Sequence, residues 1–203
     1  MGVRLPCATH LVATFHLEED AKRFMVELNH RLAAFDLEAE PTKTRLVRFG
    51  EQARAQCKRE GLRRPQTFNF LGLTHFVGRT RSGRFVVGHQ TQGGRIRKKL
   101  KALNVRLAAM RTHGGKAMVA YVRRHLQGHI QYYGVSGNSR SLQQYIYQAS
   151  RLLFKWLNRR SQRRRVAWDH FNHVVVPHLP RSRIIHTIYP TLPWMTQAGS
   201  RME

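Results

Sequence analysis

Three features of this sequence predict an α+β fold. A short apolar run precedes an amphipathic helical pattern near the start, two β-type runs joined by a Ser-Gly turn end before residue 90, and three long apolar stripes of helical period follow. They divide the 203 residues into an α+β region over 1–90, with a small antiparallel set of strands and one helix, a three-helix bundle over 91–162, and an irregular, basic, proline-containing tail over 163–203. With 41% hydrophobic residues the chain carries enough apolar side chain to build real cores.

Within the first region, His10 to Phe15 reads as a short apolar strand. Glu18, Glu19 and Asp20 then open a helix, since acids suit the positive end of the helix dipole, and Phe24, Leu28, Leu32 and Phe35 recur behind them as its apolar stripe. Pro41 interrupts. Lys43 to Phe49 alternates charged with apolar residues in the manner of an edge strand closed by Gly50. After a polar connection to Pro65, Phe68, Phe70 and Leu71 lead a β-type run to Val77, and Arg81-Ser82-Gly83 turns it into a second run from Arg84 to Gly88.

Beyond Gly88 the period changes. Ile96, Leu100, Leu103, Leu107 and Met110 step by three and four, which marks one apolar face of a helix ended by Gly114-Gly115. A second helix turns Met118, Val122, Leu126, Ile130 and Tyr133 inward and stops at Gly134, before a loop containing Gly137. The third begins near Asn138 or Ser139, has Ser141 and Gln144 spaced as a capping box, and buries Leu142, Tyr145, Ala149, Leu152 and Trp156. Three facing stripes make a bundle. A short amphipathic piece around Trp168, Phe171 and Val175 follows, then Pro177, Pro180, Pro190 and Pro193 break the pattern, and the last dozen residues are candidates for disorder.

Charge narrows the function. Lys and Arg number 36 against 11 Asp and Glu, a formal net charge of +25, so a polyanionic partner is expected. Nine of the eleven acids fall in the first 60 residues, and from Gly61 to Trp168 there are 23 Lys and Arg without one carboxylate. Cations of that kind bind phosphates with release of condensed counterions, which gives salt-sensitive and largely sequence-independent affinity. The candidate contacts are Arg95, Arg97, Lys98, Lys99, Lys101, Arg106 and Arg111 on the first bundle helix, Arg123 and Arg124 on the second, and Arg159, Arg160, Arg163, Arg164 and Arg165 after the third. Tyr132, beside the glycine loop, is a candidate for stacking on an unpaired base, whereas Tyr133 falls on the apolar stripe.

Other classes find less support. Cys7 and Cys57 have no CxxC spacing, so neither a disulfide framework nor a zinc ribbon is indicated, and a reducing, cytoplasmic setting is expected. No apolar run of membrane-spanning length occurs and the start lacks the order of a signal peptide, so no membrane partner is expected. His125 and His129 are four apart on a helix, as two ligands of one metal would be, but no third ligand is identifiable. Asp169, His170, Asn172 and His173 invite a nuclease reading, but without flanking strands and stabilising ligands they read as a packed or capped helix end. Neither a metal nor a cofactor is expected.

The motifs resemble the C-terminal part of group II intron-encoded proteins, which join a reverse transcriptase to an RNA-binding maturase. The run Gly128-His129-Ile130-Gln131-Tyr132-Tyr133-Gly134-Val135-Ser136-Gly137-Asn138-Ser139 resembles the thumb, or maturase domain X, of that family. Phe70-Leu71-Gly72-Leu73-Thr74-His75 resembles its primer-grip strand, and Pro41-Thr42-Lys43-Thr44-Arg45 its palm motif with the lysine Lys43. Arg183-Ile184-Ile185-His186 with Tyr189-Pro190 resembles the stretch after the thumb, so the likeness runs from about His10 to Pro190. The resemblance implies a palm remnant over 1–90 and a thumb-like bundle over 91–162. It also implies structured RNA as partner, group II intron RNA in particular, with DNA or a separate N-terminal reverse transcriptase fragment as further candidates.

One departure bears on chemistry. Counting back without gaps from Glu18-Glu19-Asp20 puts Cys7-Ala8-Thr9-His10 where the family has Tyr-Ala-Asp-Asp, so Thr9 and His10 occupy the positions of the paired aspartates. Two-metal nucleotidyl transfer needs carboxylates to hold the ions, and neither threonine nor histidine supplies that charge. The expectation is therefore a polymerase-inactive RNA-binding module, and Lys43 is left to a phosphate contact or to solvent. Completion of a split reverse transcriptase in trans and a generic basic nucleic-acid-binding protein are the alternatives.

Overall fold

The computed structural model describes residues 10–80, 82–160 and 165–188. It is of mixed α+β type, and the chain divides into two compact units, residues 1–87 and 88–203. The expected capping, strand and site residues Cys7, Thr9, Arg81, Arg163, Arg164, Tyr189 and Pro190, and the stretch 190–203, lie outside the described residues.

In the first unit, helix α1 spans Glu18–Ala33, with Glu18, Glu19 and Asp20 in its first turn and His30 and Arg31 in its last. Both ends thus complement the helix dipole. Its expected apolar stripe is not a core: no residue of α1 is buried, Phe24, Leu28 and Leu32 are half-buried, and Phe35 is exposed. Ion pairs dress the helix surface, Lys22 to Glu18 at 2.8 Å, Arg23 to Asp20 at 3.4 Å, and Arg48 to Glu18 at 3.3 Å.

Two expected strands do not form. His10 to Phe15 and Lys43 to Phe49 lie outside helix and strand, because a strand exists only where a neighbour takes up its backbone groups. The second stretch is held by side chains instead. Phe49 meets Phe68 edge to face at 5.1 Å, and the Arg45 guanidinium donates to the Thr67 carbonyl at 2.9 Å. Between them lies a helix that the sequence reading missed, α2 at Ala53–Arg59, which buries Ala53 and Cys57, and whose Cys57 thiol donates to the Leu62 carbonyl at 3.1 Å.

The run from Phe68 to Val77 is two strands, not one. Strands β1 (Phe68–Phe70) and β2 (Leu73–Arg79) pair antiparallel with Phe68 opposite His75 and Phe70 opposite Leu73. Leu71 and Gly72 form the two-residue link, with φ of 46° and 80°. Left-handed backbone at both positions is what a type I′ turn requires, and a leucine adopts it at a conformational cost. Beyond β2 the Thr80 N–H donates to the Arg84 carbonyl at 2.9 Å, and Gly83 has φ of 81°. Strand β3 (Phe85–Thr91) completes a three-stranded sheet of order β1-β2-β3 and carries the chain across the division at residue 87.

The second unit is built on helices α3 (Gly93–Ala109), α4 (Gly115–Tyr133) and α5 (Ser139–Asn158). Its core is formed by Leu103 and Leu107 of α3, Met118, Val122 and Leu126 of α4, and Tyr145, Ala149, Leu153 and Trp156 of α5. Leu152, expected inside, is half-buried, and Leu153 takes the core position. A short 3-10 turn, Met110–His113, ends α3, and Gly114 with φ of 88° reverses the chain into α4. Trp156 fixes α5 to α3 by donating its indole N–H to Asn104 Oδ1 at 2.9 Å.

The expected capping box is absent. Ser141 lies inside α5, and the residue before the helix, Asn138, makes no cap bond. Its fully buried side chain accepts from the Thr91 N–H at 2.8 Å and donates to Thr91 Oγ1 at 2.9 Å and to the Tyr133 carbonyl at 2.8 Å. Asn138 thus ties the end of β3 to the α4–α5 loop, a stronger use of a buried amide than capping an exposed helix end.

The segment after the bundle belongs to the same core. Helix α6 (Trp168–Val174) and a 3-10 turn (Val176–His178) place Phe171 and Leu179 against the bundle core, with Phe154 edge to face against Phe171 at 5.3 Å and Trp168 at 4.8 Å. Asp169 stands exposed in the first turn of α6, where an acid suits the helix dipole.

Candidate nucleic-acid interface

Helix α3 meets two demands on opposite sides. Leu103 and Leu107 are buried and Ile96 and Leu100 half-buried, which turns Arg95, Arg97, Lys98, Lys101 and Arg106 to solvent. Arg111 in the following turn and Arg123 and Arg124 on α4 are exposed as well. Between residues 61 and 168 the sequence offers these cations no carboxylate, so their charge stays available to an outside anion.

Lys99 is the exception among the candidates on α3. It is half-buried, with its ammonium 4.8 Å from the centre of the Tyr133 ring and 3.4 Å from His129 Nδ1. Burial, and then the charge of Arg95, hold this lysine below its ordinary pKa. It is part of a packed polar cluster rather than of the open basic face.

His129 is the centre of that cluster. Its ring stacks on Tyr145 with centroids 3.8 Å apart, and Tyr145 shares a hydrogen bond of 2.6 Å with His125 Nε2. Burial, then Lys99, then His125 push His129 down to about 3, and burial followed by Lys99 lowers His125. Burial raises the Tyr145 hydroxyl, helped by Tyr121 and Tyr133. With the ammonium donating to Nδ1, the proton of the neutral ring sits on Nε2, which is buried and has no hydrogen-bond partner among the described residues. These histidines pack; among the described residues no group of three or more His, Cys, Asp and Glu is placed to hold a metal.

The remaining candidates are scattered. Tyr133 is buried while Tyr132 is 55% exposed, the two rings meeting edge to face at 4.7 Å. Arg159 and Arg165 are exposed, Arg159 lying 5.4 Å from the Trp156 ring centre. Arg160 is exposed too, its guanidinium set against Gly115 at the start of α4. In the first unit, Phe70 ends β1, Leu71 and Gly72 are the turn, Lys43 lies exposed in a turn after Glu40, and His10 is exposed.

One site escaped the sequence reading. A cavity of about 470 Å³ opens between α4 and the C-terminal segment, lined among others by Gln127, Gln131, Arg181 and Arg183, with the half-buried Pro180 and Ile185 beside them. The segment is held by backbone bonds: the Ile185 and His186 N–H groups both donate to the Gly134 carbonyl, at 2.6 and 2.9 Å, and the Ser136 N–H donates to the His186 carbonyl at 3.0 Å. His186 Nε2 adds a bond to the Gln131 carbonyl at 2.7 Å. Gly134 permits this approach, since a Cβ there would lie 2.5 Å from the Ile130 carbonyl and 3.0 Å from that of Arg183. A sequence signal did exist: glutamines four apart share one helix face, and arginines two apart share one side of an extended chain.

No protein-family model matches the chain, and no curated protein or solved structure matches it either. Among the described residues, no helix is long and apolar enough to cross a membrane.

Proposed function

We propose that this chain is an RNA-binding module without polymerase activity of its own, and that its partner is structured RNA of the group II intron type. The observation that carries the reading is the division of labour in α3, whose apolar side closes a packed bundle while Arg97, Lys98, Lys101 and Arg106 stand in solvent with no acid in the surrounding sequence. Arg123 and Arg124 add to that surface from α4, and the exposed Tyr132 offers a stacking face. Several phosphate contacts made at once bind a polyanion with a steep dependence on salt. The maturase-like run from Gly128 to Ser139 favours folded RNA over duplex DNA as the polyanion.

The test is binding of a folded group II intron RNA against duplex DNA of equal length at physiological salt. The RNA is expected to bind more tightly; equal affinities with equal salt slopes leave a generic basic protein. No DNA synthesis on a primed RNA template is expected with Mg²⁺ or Mn²⁺, because Thr9 and His10 stand where paired aspartates would hold the metals.

A second reading, the C-terminal subunit of a split reverse transcriptase, has one observation in its favour. Helix α1 buries nothing, and Leu17, Val26 and Phe35 are 63%, 70% and 69% exposed, which is apolar surface that a protein partner would cover. Recovery of synthesis on mixing with an N-terminal fingers-and-palm fragment is the result that would support it.

A further inference from the structure

We infer that the cavity between α4 and the C-terminal segment receives one unpaired nucleotide of the bound RNA. The inference rests on the RNA-binding reading and gives it a specific readout. The space, about 470 Å³, falls within the range of sites that enclose small ligands, and a nucleotide is of that size. Its chemistry is divided as a nucleotide is divided. The half-buried Pro180 and Ile185 give apolar surface for a base, above the buried Ile130. Gln127 and Gln131, one turn apart, present two exposed amides, each able to donate and accept along a base edge. Arg181 and Arg183 add two exposed guanidinium groups, which suit the phosphates on either side.

Charge selects the occupant. Among the described residues the lining holds two cations and no carboxylate, which disfavours a basic or neutral peptide, and the paired amides suit a base edge better than a simple anion. A base inside a duplex cannot enter, so the cavity distinguishes bulged or looped RNA from paired RNA. Backbone bonds join the two walls. Ile185 and His186 are pinned to Gly134, and His186 is pinned to the backbone of Gln131, so the two walls are already in register before a ligand arrives.

The test uses the full chain and two RNA hairpins of equal length, one fully paired and one carrying a single bulged 2-aminopurine. Wild type is expected to bind the bulged hairpin about tenfold more tightly than the paired one, with a change in 2-aminopurine fluorescence on binding. Gln127→Ala with Gln131→Ala should abolish both the preference and the fluorescence change while leaving affinity for the paired hairpin unaltered, since both side chains are exposed and the His186 bond is to the Gln131 backbone. A second variant, Gln131→Trp, which fills the cavity without changing charge, should do the same. Equal binding of both hairpins by wild type would overturn the pocket and leave the general RNA reading intact, whereas failure to bind either hairpin would overturn both. An acidic peptide that competes with the bulged hairpin and not with the paired one would assign the cavity to protein and overturn the inference.

Discussion

The helices α1 and α3 are of similar length and both amphipathic, yet they are stabilised in opposite ways. Helix α1 has acids in its first turn, surface ion pairs and no buried residue. Helix α3 has no acid at all, five exposed cations crowded on its outer side, and Leu103 and Leu107 at 1% and 0% exposure. Local electrostatics support the first; packing overrides electrostatics in the second. The bundle tolerates self-repulsion because its core supplies enough stabilisation, and its cations stay exposed.

The same charge placed in both helices separates them most clearly. Leu103→Asp buries an unpaired carboxylate and should cost about 4 kcal/mol or more, enough to remove hydrogen-exchange protection throughout α3, α4 and α5. Leu28→Asp, at a half-buried position of α1, should change exchange in α1 by less than about 1 kcal/mol. Similar losses at the two sites would refute the contrast. Phe171→Ala should cost about 3 kcal/mol in the second unit, by opening a cavity beneath the bundle.

Acid should separate the units next. His129 is held neutral, with a folded pKa near 3 against an ordinary value of 6.5, so the unfolded chain takes up a proton that the folded bundle refuses. Stability is full above pH 6.5 and falls as pH drops towards 3, at up to about 1.4 kcal/mol per pH unit for this proton; His125 is shifted in the same direction. Glu18 in the first unit is held below its ordinary 4.5, first by Lys22 and then by Arg48. Its contribution is lost only as pH falls below 4.5. Thermal melts of wild type and His129→Asn from pH 7 to 5 read the slope of the second unit, and an identical slope in both would remove His129 as its cause.

The smallest effect on folding belongs to the change with the largest effect on binding. Lys98→Ala with Lys101→Ala should leave the melting temperature nearly unaltered, because both side chains are exposed and the apolar side of α3 is untouched. The slope of log affinity against log salt should flatten by about two units, one per lost phosphate contact. An unchanged slope would place the RNA elsewhere.

The bundle was legible because its signal is local and repeated. Met118, Val122, Leu126, Ile130 and Tyr133 mark a face five times over, and all five are buried. The first unit repeats nothing that often. Helix α2 hides because its inward side is only Ala53 and Cys57, and the strands expected at 10–15 and 43–49 fail because alternation shows which faces a strand would have without showing that a neighbour exists. Leu71 misleads in another way: an apolar residue in an apolar run reads as strand, yet its left-handed backbone makes it a turn. At the candidate site, the exposed cations of α3 followed from the period, but the fate of Lys99, His129 and Asn138 did not. Asn138 meets Thr91 across 47 residues, and no spacing rule announces a partner so distant.

The contact between Gly134 and the chain after Arg183 also has a kinetic side. Val135 and His186 form a parallel bridge, closing a contour of some fifty residues that contains all of α5 and α6. Closing so long a contour costs conformational entropy that a few backbone bonds barely offset, so the bridge holds only while Phe171 and Leu179 anchor the intervening chain. The amides of Ser136, Ile185 and His186 should therefore exchange with solvent as one cooperative group, at an opening free energy below that of the α4 interior.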